Sequence, residues 1–339
     1  MTEENVHCVF VLKCPLCGDT ERSFVFRGHE HEYDNTTSQE FSFYRCTHCS
    51  LVYMDPRPSE FELGRIYPIN YYSRASVNSA SDDLKLNSFT GRWLHKRLLD
   101  RVGGNILPHL KLNSMHSFLD VGCGGGRALR SIHAEYGCRC IGIDTEIPAA
   151  ALVRYASPPI RLYRGDFLSH DFGDEVFDVV YASHLIEHLP DPNAFMRKAS
   201  SILRPGGLCV IETPNEDCSV ARLFGSNWGG NHIPRHWFLL NPKTAKMLED
   251  SDRSTGFKLI SCRFTPNAAF LIWSLHSTLS RTLGRCIADM LFPSDHRIVS
   301  TGAVNVMRHG IFTLVDMIAL VLTSRTGNMS VVYRKCEET

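Results

Sequence analysis

The stretch Ser117-Phe118-Leu119-Asp120-Val121-Gly122-Cys123-Gly124-Gly125-Gly126-Arg127 decides the fold. An apolar run enters a dense glycine turn, and Ala128–Ala134 then reads as a helix. Strand, glycine loop and helix form the geometry that lets a backbone approach a cofactor closely. The spacing narrows which cofactor. Glycines at 122, 124 and 126 give G-x-G-x-G, whereas a dinucleotide fingerprint needs glycine at 127, where Arg127 stands.

The chain downstream repeats the pattern. Cys138–Ile143 reads as a second strand that ends at Asp144. A carboxylate there sits where it can accept from ribose hydroxyls, and it also suits a helix N-cap. Ile160–Arg164 is a third strand, followed by Gly165-Asp166-Phe167. Phe177–Ala182 is a fourth, and Leu208–Glu212 a fifth. Between them, Asp191-Pro192 opens a helix through Phe195, Ala199 and Leu203, and Arg204-Pro205-Gly206-Gly207 turns it into the next strand. Asn241-Pro242 caps a further helix, through Ala245 and Leu248, before a sixth strand from Gly256. Met329–Lys335 is expected as the last strand, at the sheet edge. Four successive strand–helix units predict a doubly wound α/β sheet. A helix is also expected over Leu86–Leu99, with Phe89, Trp93, Leu94 and Leu98 on one face.

These marks resemble the class I S-adenosylmethionine (SAM) dependent methyltransferases. The residues that carry the resemblance are the glycine loop, the acidic end of the second strand, the segment Ser183–Pro192 and the R-P-G-G turn. It implies a seven-stranded Rossmann-like sheet and SAM as cofactor. It assigns the cofactor to Asp120, Gly122, Cys123, Gly124, Gly126, Asp144, Asp166, Phe167, Ser183 and His184. Asp144 would meet the ribose, and Asp166 the exocyclic amine of adenine. His184-Leu185-Ile186-Glu187-His188 also spells H-x-x-E-H, an inverted zinc-protease motif. That chemistry needs a long helix, which Pro190 and Pro192 interrupt, so the protease reading is rejected.

Two C-x-x-C knuckles, Cys14/Cys17 and Cys46/Cys49, stand in the N-terminal stretch. Four thiolates at such spacing hold a tetrahedral zinc, and with no open position the metal is structural. Strand-like pieces between them, Phe24–Phe26 and Phe41–Tyr44, complete a zinc ribbon. His29, His31 and His48 are alternative ligands that four cysteines make unnecessary. Next come Asp55-Pro56-Arg57-Pro58 and the pair Tyr71-Tyr72. Ribbon, turn and tyrosine pair resemble a methyltransferase subgroup associated with sugar, polysaccharide or secondary-metabolite pathways. The tyrosines either line the substrate side or pack the ribbon. Residues 73–83 are small and polar and read as a linker or lid hinge. The expected division is a ribbon over 1–55, a linker over 56–83 and a methyltransferase domain over 84–339. Within the last, 265–328 is a helical insertion before the final strand.

Lys+Arg and Asp+Glu balance at 36 each, so there is no global basic footprint for nucleic acid. Thirteen cysteines, most of them single within apolar runs, suit reduced thiols and a cytoplasmic protein. No leader pattern opens the chain. The apolar run Gly310–Leu322 is too short for a span and is broken by Asp316, so no integral membrane segment is expected. The insertion is read as helices beside the site or at a homodimer face. Its His276, Arg281 and Arg285 are read as a solvated face, with contact to a lipid or sugar phosphate as the sharper alternative.

Methylating a hydroxyl requires removal of a proton, a task that suits histidine. The candidates are His236 first, then His188 and His232, with Glu187 shaping the pocket. His232 and His236 belong to the Gly-, His- and aromatic-rich loop Trp228–Phe238. The resulting expectation is methyl transfer from SAM to a small-molecule or sugar acceptor, on oxygen. An RNA methyltransferase that uses the ribbon stands second. A non-catalytic SAM-binding scaffold stands third.

Overall fold

The computed structural model describes residues 5–69, 71, 110–155, 159–250, 255–292 and 303–337. The helix expected over Leu86–Leu99 and the linker 73–83 lie outside these residues. Seven strands form one sheet: β1 (Ser117–Val121), β2 (Arg139–Asp144), β3 (Ile160–Arg164), β4 (Phe177–Ser183), β5 (Leu203–Pro214), β6 (Phe257–Thr265) and β7 (Asn328–Lys335). Their order is β6-β7-β5-β4-β1-β2-β3. The pairings β3 with β2, β2 with β1, β1 with β4 and β4 with β5 are all parallel. The order reverses at β1, which has β2 on one side and β4 on the other. Loops leaving the carboxyl ends of strands at such a point diverge and open a crevice.

Each strand reads as its neighbours require. All five residues of β1 are buried, as they must be in a parallel strand covered on both faces. The last strand does not take the edge position expected for it. β7 lies between β6 and β5, and β6 is the edge strand. Burial explains the exchange: Asn328–Tyr333 is buried without a break, whereas β6 mixes buried, partial and exposed positions. The R-P-G-G segment is also part of β5, as an irregularity with Gly206 at φ +75°, rather than a turn ahead of it.

The helices start where their caps lie. Asp191 accepts from the Asn193 and Ala194 amides at 2.8 and 3.1 Å, and Pro192 opens the helix Pro192–Ile202. Asn241 and Thr244 cap reciprocally: the Thr244 amide donates to Asn241 Oδ1 at 2.9 Å, and the Asn241 amide to Thr244 Oγ1 at 2.8 Å. The expected helical insertion is present as Ala268–Thr282, Arg285–Leu291 and Ala303–Thr323. None of the described helices is long and apolar enough to cross a membrane.

The chain divides into two compact units that are not contiguous in sequence. One comprises Ser76–Thr213, Ala245–Arg263 and Ser330–Thr339 and holds most of the seven-stranded sheet. Its core gathers Phe118, Leu129, Ile132, Leu162, Val179 and Val210. The other comprises Met1–Ala75, Pro214–Thr244 and Phe264–Met329. It joins the ribbon, the histidine loop and the insertion, a grouping that linear boundaries do not contain. Its four-stranded sheet runs Phe238–Leu239, Val52–Met54, Glu40–Cys46, Arg22–His29. The histidine loop thus adds a strand to the ribbon, pairing Phe238 with Tyr53. Phe41, Phe43, Met54, Trp228, Ile233 and Phe270 pack beneath.

One glycine that the loop motif does not include is decided by packing. A Cβ on Gly142 of β2 would lie 2.6 Å from Cys123 Sγ, 2.7 Å from Leu129 Cδ1 and 2.8 Å from Leu162 Cδ2. Bare backbone there is what lets the glycine loop and its helix settle on the sheet. Gly142→Ala is therefore expected to destabilise the fold by about 1–3 kcal/mol, as overpacking does. Urea denaturation monitored by circular dichroism measures it, and a wild-type midpoint would remove this reading.

Candidate functional site

The glycine loop is shaped by three left-handed residues, Gly122 at φ +80°, Gly124 at +53° and Gly126 at +75°. Any other residue type would be strained at each. The Gly122 and Cys123 amides donate to the Ile143 carbonyl at 2.8 and 3.3 Å, which ties the loop to the end of β2. The Gly124 amide donates to Asp144 Oδ2 at 2.8 Å, while Asp144 Oδ1 takes the Glu146 amide at 2.9 Å. Asp144 therefore clasps the loop and the turn after its own strand at once. Around Gly122 the space is filled by Leu185, but a Cβ on Gly124 would meet nothing within 4 Å. The loop presents bare backbone to open space at Gly124.

Carboxylates crowd this end of the sheet. Asp120 is buried, and burial, with Asp144 and Glu212 nearby, pushes its pKa up to about 8. Burial also raises Asp144. Glu212 accepts from the Tyr181 hydroxyl at 2.7 Å and from the Ser183 hydroxyl at 3.2 Å on one oxygen, and from Ser330 at 3.2 Å on the other. Ser183 and His184 thus stand beside Glu212. The His184 amide donates to the Glu212 carbonyl at 2.8 Å, and its ring approaches Glu187 at 3.4 Å. Burial alone would lower the His184 pKa, but the Glu187 carboxylate outweighs it and the net shift is upward. Glu187 is fully buried and accepts from Thr213 Oγ1 at 3.1 Å. The helical turn here is only Ile186–His188, too short for an H-x-x-E-H metal helix.

Asp166 and Phe167 follow β3. Asp166 is exposed and holds a turn by accepting the Ser169 amide at 3.0 Å. The Phe167 ring is buried and packs on Phe195 at 5.3 Å and Phe172 at 6.3 Å between centroids. Its ring is therefore core, and its exposed neighbour carries the polar group.

The three candidate histidines do not share a unit: His188 belongs to the sheet unit, and His232 and His236 to the ribbon unit. His232 and His236 stand 4.9 Å apart between ring centroids. His236 Nδ1 lies 2.8 Å from the Gly230 carbonyl, which only accepts, so Nδ1 carries the proton and Nε2 is the basic nitrogen. His232 is bound at both ends, with Nδ1 2.6 Å from Glu32 and Nε2 3.0 Å from the Tyr71 hydroxyl. All three are buried, and together they form a carboxylate–imidazole–phenol chain. Beside it, Arg235 and Glu30 make a fully buried ion pair, and the Arg235 guanidinium lies over the Tyr33 ring at 4.6 Å. No local motif marks the carboxylates Glu30 and Glu32 or the role of Arg235. The alternating run His29-Glu30-His31-Glu32, charged within an aromatic ribbon, was the signal for them.

The four knuckle cysteines converge. Cys14 Sγ is 3.5 Å from Cys49 Sγ, Cys17 Sγ is 3.6 Å from Cys46 Sγ, and all four sulfurs lie within 4.8 Å of one another. Thiolates around a tetrahedral zinc sit roughly 3.8 Å apart, as Zn–S bonds of about 2.3 Å require. The two knuckles are the same turn built twice. Gly18 donates to the Cys14 carbonyl at 2.9 Å and Ser50 to the Cys46 carbonyl at 3.0 Å. Both take left-handed conformations, Gly18 at φ +77° and Ser50 at +71°. Asp55 accepts the Val11 amide at 2.7 Å and pairs with Arg22, a role that uses its charge.

A family model described as a methyltransferase domain matches residues 91–261, half of the chain. A ubiquinone biosynthesis O-methyltransferase from Rhodopseudomonas palustris is 36% identical over 122 residues, 34% of this chain and 48% of that protein. A probable tocopherol O-methyltransferase from Oryza sativa is 34% identical over 103 residues, 29% of this chain and 28% of that one. The chain thus spans about half the length, or less, of these curated relatives. Among solved structures, the SAM complex of a Haemonchus contortus phosphoethanolamine N-methyltransferase covers 92% of this chain and 71% of its own, at 15% identity and a TM-score of 0.48. On the match over residues 91–261, which takes in the glycine loop and its Asp144 clasp, the chain belongs to the methyltransferase-domain family.

Proposed function

We propose that the protein transfers a methyl group from SAM to a hydroxyl of a small-molecule acceptor, in the class of phenols or sugars. The observation that carries the cofactor is the glycine loop clasped by Asp144, with the acid groups of Asp120 and Glu212 beside it. The sulfonium and ammonium groups of SAM would be attracted, and SAM supplies an activated methyl group when bound. In this reading Gly122, Cys123, Gly124 and Gly126 cradle it, Asp120 faces its positive charge, Asp144 takes the ribose and Asp166 the adenine amine. Phe167, Ser183 and His184 shape the rest. Names of relatives that methylate oxygen, for ubiquinone and tocopherol, support oxygen as the acceptor atom.

His236 is the proposed base. Its Nδ1 proton is held by the Gly230 carbonyl, which keeps Nε2 basic. His232, held by Glu32 and Tyr71, positions the loop and is not itself the base. His188 keeps second place. The four converging thiols support one structural zinc at Cys14, Cys17, Cys46 and Cys49. Thirteen unpaired cysteines suit a reducing compartment, so the cytoplasm is the proposed location. The exposed apolar residues Met307, Ile311, Leu314 and Ile318, at heptad spacing, support a homodimer through the insertion.

Three measurements test this reading. Asp120, with a pKa of about 8, is mostly protonated at pH 7. A bound cation lowers a neighbouring carboxyl pKa, so SAM binding should release about half to one proton. Calorimetry at pH 7 in buffers of different ionisation enthalpy reads this release, and Asp120→Asn should abolish it. Proton uptake, or no SAM binding at all, would overturn the cofactor assignment.

His236→Gln should lower kcat by about 10²–10⁴-fold, as loss of a general base does, and leave SAM affinity within about twofold. Unchanged turnover would clear His236. Elemental analysis should find one zinc per chain, lost in the Cys14→Ser/Cys46→Ser double variant together with a lower Tm. A metal-free wild type of equal stability would remove the ribbon metal.

A further inference from the structure

Within the ribbon unit, the helix Ala268–Thr282 faces the end of the long strand Arg22–His29 across a cavity of about 190 Å³. One wall is Gly28–His31, and the turn Ser226–Asn227 closes an end. The opposite wall is the helix face carrying Ser277, Ser280 and Arg281, with Arg285 just beyond it. The expectation that His276, Arg281 and Arg285 form a solvated face fails for His276. It is fully buried, with Nδ1 3.3 Å from His31 Nδ1 and Nε2 3.0 Å from Asp289.

One cation at the cavity has no carboxylate partner among the described residues. Glu30, on its wall, is matched by Arg235 in the buried pair. Asp289 hydrogen-bonds the His276 ring at 3.0 Å and lies 3.7 Å from Arg285 Nε. Arg285 also reaches Asp34 at 3.8 Å and donates to the Glu32 carbonyl at 2.6 Å, which fixes its guanidinium. Burial and nearby positive groups push the His31 pKa well below its usual value, so its ring is neutral. Arg281 remains. It donates to Asn227 Oδ1 at 3.1 Å, and among the described residues no carboxylate lies within ion-pair distance of it.

The hydroxyls point the same way. Ser277 donates to the same Asn227 oxygen at 3.2 Å, so two donors already converge on one acceptor. Ser280 Oγ is enclosed and has no hydrogen-bond partner among the described residues. Enclosed polar atoms are nearly always satisfied, so a hydroxyl left over on a cavity wall calls for a hydrogen-bonding partner inside the cavity. A tetrahedral oxyanion offers several acceptor oxygens together with charge for a guanidinium fork.

We propose that this cavity binds a phosphate monoester, held by Arg281 and Arg285 and by the hydroxyls of Ser277 and Ser280. The site stands apart from the methyl-transfer reading, since none of its residues belongs to the glycine loop or the histidine pair. The ligand is a phosphorylated small molecule bound in addition to the methyl donor.

The test is calorimetric titration of the full-length protein with inorganic phosphate at constant ionic strength, with acetate as the carboxylate arm. Saturable binding of one phosphate per chain is expected, with acetate at least about tenfold weaker. Arg281→Gln should weaken phosphate about tenfold or more, and its exposed side chain makes misfolding an avoidable outcome that Tm checks. Ser280→Ala should weaken it by a smaller factor. No saturable heat with phosphate, equal affinity in Arg281→Gln of normal Tm, or acetate as tight as phosphate would each overturn the assignment. SAM titrated into the same sample reads the methyl-transfer proposal separately.

Discussion

One hydrogen bond, from the Gly124 amide to the Asp144 carboxylate, closes the ends of β1 and β2 onto each other. Three glycines in left-handed conformations form a loop with little intrinsic preference for one shape. A carboxylate across the gap fixes that shape by accepting from its backbone. The Ile143 carbonyl holds the loop's other end. Bare Gly142 lets Cys123 and Leu129 press down from above. The loop is thus rigid before any ligand arrives, and the cost of ordering it was met during folding. The remaining strands serve this corner by burying it, which is also why Asp120 is held as an acid in place of a carboxylate.

The ribbon unit follows a different principle. Its interior is not purely apolar: Glu30, Glu32, His232 and Arg235 are all buried, each matched by a partner of opposite charge or by an imidazole. Such pairs add little net stability, because desolvation offsets their attraction, but breaking one leaves an uncompensated buried charge. They therefore specify a single arrangement of strand end, histidine loop and insertion. Segments far apart in sequence are forced into one register by charge matching where apolar packing would tolerate sliding.

The sheet unit was readable in advance because its signals are local. Alternating apolar runs, Asp191-Pro192, Asn241-Pro242 and the glycine loop each state their own structure within a few residues. The C-x-x-C knuckles are equally local, and their sulfurs converge as their spacing requires. What could not be read was pairing across distance. Nothing near Glu32 announces His232, and nothing near Glu30 announces Arg235. The expectation of β7 at the sheet edge failed for a related reason. Its all-buried character depends on two neighbouring strands, and the run Met329–Lys335 looks the same at an edge or within. His276 carries the same lesson, since a histidine on a helix is solvated or buried according to what another segment brings to it.

The twin knuckles also act as a length standard. The hairpin register starts at the thiols, where Arg22 faces Cys46, and runs to His29 facing Glu40. Over eight residues it extends roughly 27 Å at about 3.4 Å per residue. A bulge at Val25, between Phe24 facing Tyr44 and Phe26 facing Phe43, moves that register by one residue, and a further slip of one would turn every later side chain to the opposite face. The run Glu30-His31-Glu32 begins immediately beyond that far end. The turn geometry at Gly18 and Ser50 and the bulge at Val25 together therefore dictate, a hairpin's length away, which acid meets Arg235 and which meets His232.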